Sequence, residues 1–97
     1  AMPTRDARHG RLYTFRDANP DLTEDGEWFV YKYINSPSAV RSTEAISPGC
    51  DCPVCQTLSM GYLYHLYRMN DPSYQRLATL HNLTFMRQLM SLLRQNG

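Results

Sequence analysis

The stretch Cys50-Asp51-Cys52-Pro53-Val54-Cys55 places three sulfurs within six positions, and its reading decides the fold. Thiolate and imidazole are the ligands zinc prefers, four of them in a tetrahedron, and a fourth protein ligand closes such a site to water. Three cysteines in one turn leave one ligand to come from elsewhere. His9 lies in an arginine-rich segment and His65 lies ten residues beyond Cys55, whereas His81 falls where a second helix packed against the first swings a side chain back to the turn. The alternative is three small buried hydrophobes and a core histidine; spacing alone leaves both open. A closed Cys3His site does not activate water, so zinc here would serve folding, with no catalytic residue at the cluster. Asp51, between two cysteines, reads as a solvated or supporting carboxylate.

Outward from the cysteines, Pro53 to about Met69 carries Leu58, Tyr62, Leu66 and Met69 at helical spacing, with Cys52 near the N-cap and Pro53 suited to the first position. Asp71 and Pro72 open a second helix that the Leu77–Leu93 pattern carries almost to Gly97. Leu83, Phe85, Met86, Leu89, Met90, Leu92 and Leu93 cover about half its circumference, but Leu77 and Leu80 lie on a different arc, so the helix should change neighbours near His81. So wide a stripe calls for a partner surface, from a larger polypeptide or a second subunit, unless the N-terminal half folds beneath it.

In that half, Leu12–Phe15 and Glu27–Ile34 read as β-strands, joined through the turn-formers Asn19-Pro20 and Asp25-Gly26 into a hairpin with a long loop. Asn35–Gly49, rich in Ser, Pro and Thr, reads as a surface loop. The expected class is α+β: one small zinc-stapled domain over 1–97, hairpin and loop in 1–49, zinc turn and two helices in 50–97. A chain of 97 residues buries too little surface to be stable on its core alone, so a staple is expected. An odd, crowded set of three cysteines argues against disulfides and for a reducing compartment, hence the cytoplasm. No apolar run approaches the ~18 residues that span a bilayer, so no membrane is expected. The net charge of +1 conceals Arg5, Arg8, Arg11 and Arg16 at one end, followed by the acidic Asp21, Glu24, Asp25 and Glu27. Any nucleic-acid contact must come from that arginine cluster.

Cys50-x-Cys52-x2-Cys55 followed by Thr79-Leu80-His81-Asn82-Leu83 closely resembles the zinc signature of queuine and archaeosine tRNA-ribosyltransferases. Tyr62-Leu63-Tyr64-His65-Leu66 is similar to the family's aromatic and histidine-bearing stretch, and Met2-Pro3-Thr4-Arg5-Asp6-Ala7-Arg8-His9-Gly10 to its PTRxxRxG element. The resemblance implies the end portion of a TIM-barrel glycosyltransferase that exchanges guanine for a 7-deazaguanine in tRNA, as in queuosine formation. It further implies that the nucleophilic aspartate lies upstream of the PTR element and outside this chain, that Arg5 and Arg8 contact tRNA, and that Tyr62 and His65 form a dimer contact. Two features depart from the family: Glu27-Trp28-Phe29-Val30-Tyr31-Lys32-Tyr33 stands in place of an INIRNA strand, and Asn70-Asp71-Pro72-Ser73 in place of a glycine-rich turn. The competing expectation is a free-standing, non-catalytic zinc module or accessory subunit that binds RNA or protein, which Met2 as a start would permit. Cysteine nucleophilic catalysis is disfavoured, because zinc-bound thiolates are not free to attack.

Overall fold

The computed structural model describes residues 2–15, 29–47, 50 and 52–96. The expected turns at Asn19-Pro20 and Asp25-Gly26, the acidic block, Arg16, Glu27, Trp28 and Asp51 lie outside these. The architecture is α+β, an antiparallel two-stranded hairpin with helices.

A short helix precedes the hairpin where none was expected: α1, Pro3–Arg8, starts with proline at its first position, where the absent N–H costs nothing and φ is already helical. Gly10 ends it at φ 80°, a left-handed conformation that favours glycine. A Cβ there would also stand 3.0 Å from Ile34 Cγ2. The chain leaves directly into β1, Arg11–Phe15, which pairs with β2, Phe29–Tyr33, with Arg11 opposite Tyr33 and Tyr13 opposite Tyr31. The loop after β2 does more than cross the surface. Ala39, Ile46 and Ser47 are buried in it, and it is fastened by Lys32 Nζ to the Ile46 carbonyl at 2.7 Å, Met60 N to Glu44 O at 2.8 Å and Gly61 N to Ser42 O at 3.0 Å.

The helix expected over 53–69 is two helices. In α2, Pro53–Thr57, Cys52 is the N-cap, its sulfur accepting from Cys55 N at 3.3 Å. Leu58 and Ser59 are extended, and Ser59 caps α3, Met60–Arg68, its hydroxyl accepting from Tyr62 N at 3.2 Å. A residue with a good capping side chain restarts the helix in a new direction, which the continuous apolar spacing concealed. Asn70, at φ 54°, ends α3; Asp71 N reaches Leu66 O at 3.1 Å and Asn70 N reaches Tyr67 O at 3.2 Å, the paired bonds of a Schellman ending with asparagine in the usual glycine role. The Asp71 carboxylate then accepts from Ser73 N at 2.8 Å, opening α4, Pro72–Asn96.

Along its 25 residues α4 does change neighbours. Tyr74 and Ala78 join the main core with Leu12, Ile34, Val54 and Leu63, whereas Phe85 and Leu89 form a second cluster with Tyr13, flanked by Phe15, Met86, Leu92 and Leu93. The hairpin thus lies under part of the wide stripe, with Phe15 and Phe85 ring centroids 4.4 Å apart. Leu83 and Met90 of the stripe stay in solvent, 50% and 53% exposed, as does Leu80 on the other arc, 41% exposed. Among the described residues no helix is long and apolar enough to cross a membrane.

Candidate metal centre

Cys50, Cys52, Cys55 and His81 converge, their ligand atoms all within 4.8 Å of one another. Each arrives by a different local device. Cys50 ends the loop, its N–H donating to Ser47 O at 3.2 Å. Cys52 is the N-cap of α2 and Cys55 sits in its first turn. His81 is fully buried, ten residues into α4. Its Nδ1 lies 3.9, 3.4 and 3.3 Å from the sulfurs of Cys50, Cys52 and Cys55.

The other ring nitrogen fixes that orientation. His81 Nε2 donates to the Tyr13 carbonyl at 2.6 Å, which holds a proton on Nε2 and makes Nδ1 the atom that faces the sulfur cluster. The cluster's own electrostatics divide its protons unequally. The neighbouring Cys50 and Cys55 sulfurs hold the Cys52 sulfur far below the ordinary thiol range, whereas Cys50, facing the Cys52 and Cys55 sulfurs, is pushed far above it. Burial alone would lower His81, but the Cys52 and Cys55 sulfurs and the Tyr13 carbonyl push it up to about 9. Three sulfurs and an imidazole nitrogen so placed could hold one divalent cation, which would replace the protons they share. The distances fit one: metal–sulfur and metal–nitrogen bonds of ~2.3 and ~2.0 Å in a tetrahedron give a sulfur–nitrogen edge of about 3.5 Å.

Beside His81, Asn82 is a residue whose part in the fold its sequence gave no reason to expect. Fully buried, its Oδ1 accepts from Tyr13 N at 3.1 Å while its Nδ2 donates to Arg11 O at 3.0 Å and Pro3 O at 3.2 Å. Consecutive residues of α4 therefore hold both main-chain groups of Tyr13. Asp6, buried, accepts from the Tyr13 hydroxyl and pairs with Arg11 at 3.5 Å. The Tyr13 hydroxyl, ahead of the Met2 amide and Arg11, holds Asp6 below its ordinary value against the opposing effect of burial. A polar network thus ties α1 and β1 to the face of α4 that carries His81.

The remaining residues singled out in the sequence stand apart from the cluster. Arg5 and Arg8 are exposed and one turn apart on α1. Tyr62 and His65 are likewise exposed and one turn apart on α3. Arg11 of the N-terminal arginine cluster is paired with Asp6.

The class is an α+β fold built around a four-donor cluster that could hold a metal, with arginines displayed on a flanking helix. The chain belongs to the queuine tRNA-ribosyltransferase family, whose profile matches residues 1–96. A queuine tRNA-ribosyltransferase of Leptospira biflexa serovar Patoc is 33% identical over 95 residues, covering 98% of this chain and 22% of the relative. Those of Shewanella sp. strain ANA-3 and Shewanella frigidimarina are each 40% identical over 93 residues, covering 96% of this chain and 21% of the relative. The chain thus spans about a fifth of the length of the curated relatives it matches.

Proposed function

We propose that this chain is the zinc-stabilised, tRNA-docking C-terminal part of a cytoplasmic tRNA-guanine transglycosylase, a single domain over 1–97 that works together with a TIM-barrel portion. The observation that carries the reading is the convergence of Cys50, Cys52, Cys55 and His81 on one point, in a chain whose relatives are named queuine tRNA-ribosyltransferases. Three thiolates and one imidazole suit zinc over harder cations, and four protein ligands leave no position for a reacting water. The ion would supply rigidity, fixing a loop, the start of α2 and the middle of α4 to one another.

The exchange of guanine for a 7-deazaguanine base requires a nucleophile to hold the ribose while one base leaves and another enters. That carboxylate is assigned to the barrel portion, and no group of this chain is assigned a catalytic role. Arg5 and Arg8, exposed on α1, supply the tRNA contact through charge-assisted bonds to phosphate or base edges. The uncovered Leu80, Leu83 and Met90 are the face offered to the rest of the polypeptide, and Tyr62 with His65 the contact to a second copy.

Metal analysis of the purified protein tests the first element: one zinc per chain is expected, with helical circular dichroism lost on chelation and regained on zinc addition. A metal-free protein with full helical signal would overturn it. For docking, Arg5→Ala with Arg8→Ala should weaken tRNA binding and lower its salt slope by about 1–2. An unchanged slope would refute the arginine assignment.

A further inference from the structure

The four donors of the metal centre differ in access. Cys50, Cys52 and His81 are buried, whereas Cys55 is half-buried and lines an open cavity of about 490 Å³. Thr43, Gln56, Thr57, Ser59 and Tyr62 also line it. No charged side chain of the described residues does, so a small neutral molecule meets no electrostatic barrier there. The buried imidazole is further secured, its Nε2 donating to the Tyr13 carbonyl at 2.6 Å. Cys55 is thus the donor that solvent reaches first.

Cys52 is placed to react with it. As N-cap of α2, Cys52 turns its sulfur back over the first helical turn, where it accepts from Cys55 N at 3.3 Å. Residues three apart on a helix have Cβ atoms ~5–6 Å apart, and a disulfide needs about 3.5–4.5 Å, so closure asks for a shift of only about 1–2 Å at a helix end. Cys50 lies outside the helix, its N–H committed to Ser47 O at 3.2 Å.

We propose that the centre is a peroxide-responsive switch that opens at Cys55, hydrogen peroxide entering the cavity and driving formation of a Cys52–Cys55 disulfide. The inference rests on the zinc reading of the proposed function and adds a route by which that ion is lost and regained. Zinc-bound thiolates do not attack, so the reaction starts when the Cys55 sulfur has detached. That thiolate attacks one peroxide oxygen: an S–O bond forms, the O–O bond breaks, and the departing oxygen takes up a proton and leaves as water. The Cys52 thiolate then attacks the Cys55 sulfur. An S–S bond forms, the S–O bond breaks, and the hydroxide released takes up a second proton. Two thiolates, one peroxide and two protons give one disulfide and two waters, the sulfurs being oxidised and the peroxide oxygens reduced. Left with Cys50 and His81 alone, the site no longer holds the ion. A dithiol reductant reverses the change.

The test uses the zinc-loaded protein and hydrogen peroxide, at a concentration that oxidises the urea-unfolded, zinc-free chain. A zinc-sensitive dye should report one zinc released per chain, and dithiothreitol with added zinc should restore the bound ion. Alkylation followed by tandem mass spectrometry should find Cys50 labelled and Cys52 joined to Cys55. Brief alkylation of the untreated zinc-loaded protein should label Cys55 at least about 5-fold faster than Cys50 or Cys52. Zinc that stays bound under peroxide, a disulfide that includes Cys50, or equal labelling of the three cysteines would refute the switch and leave the zinc reading standing. Protein purified without zinc would overturn both.

Discussion

Replacing Asn82 by alanine isolates what the buried amide contributes. Three hydrogen bonds disappear at once, to Tyr13 N, Arg11 O and Pro3 O at 3.1, 3.0 and 3.2 Å. Each is worth about 0.5–1.5 kcal/mol net, and the orphaned Tyr13 N–H carries its own desolvation cost of about 1–3 kcal/mol. The partly relaxed sum is about 3 kcal/mol, with a range of roughly 2–5. Urea unfolding at fixed free zinc measures it, because a ligand bound only to the folded state adds a concentration-dependent increment common to both proteins. Zinc content of both should be equal, which separates loss of the amide from loss of the ion. Leu83→Ala, one residue along and 50% exposed, serves as control and should change stability by no more than about 0.5 kcal/mol. An Asn82→Ala protein within 1 kcal/mol of wild type would show that α1 and β1 are held by packing and that the amide is incidental.

Gly61→Ala should be more damaging than its helical setting suggests. A Cβ there would stand 2.6 Å from Ser42 O, a backbone atom in a loop already fixed by the Gly61 N–H, so a loss of roughly 1–3 kcal/mol is expected in thermal melts in place of the usual small gain for helical Gly→Ala. Asp6→Asn should cost about 1–3 kcal/mol near neutrality by weakening the bonds to Tyr13 and Arg11. Because the Asp6 carboxyl titrates below its ordinary value in the fold, its contribution is full above about pH 4 and is lost as pH falls through the folded value. The stability gap between Asp6→Asn and wild type should therefore narrow below about pH 4, whereas a gap constant from pH 7 to 2 would refute the ionic account.

Local patterns announced some of this molecule and long-range contacts the remainder. The three cysteines, the Pro53 start of α2, the Asp71-Pro72 opening of α4 and the antiparallel strands are each specified within a few residues of themselves, where capping and alternation rules operate. The break at Leu58-Ser59 was hidden because apolar spacing continues across it, though Ser59 is itself a capping residue. Helix α1 is too short for periodicity to register, and only Pro3 hints at it. Asn35–Gly49 looked like surface because its large apolar residues are few, yet Ile46 and Ala39 are buried through bonds to α3 and β2 that no local pattern encodes. The role of Asn82 depends on partners 69, 71 and 79 positions away. Arg5, Arg8, Tyr62 and His65 owe their selection to family resemblance and not to any pattern around them.

The adjacency of His81 and Asn82 has a consequence for the metal. Successive residues of a helix point about 100° apart, so one reaches the sulfurs while the next reaches β1, and Tyr13 receives both: its carbonyl from His81 Nε2 at 2.6 Å and its N–H from Asn82 at 3.1 Å. The strand thereby selects the histidine tautomer, and a metal held among the sulfurs would meet His81 through Nδ1, since the Nε2 proton is committed to the buried Tyr13 carbonyl. Nitrogen-15 spectra of the zinc-loaded protein should show His81 protonated at Nε2 and metal-shifted at Nδ1, with the Nε2 proton slow to exchange. Ligation through Nε2 would require the ring to turn over and abandon Tyr13, and finding it would mean that the hairpin and the metal site are set independently.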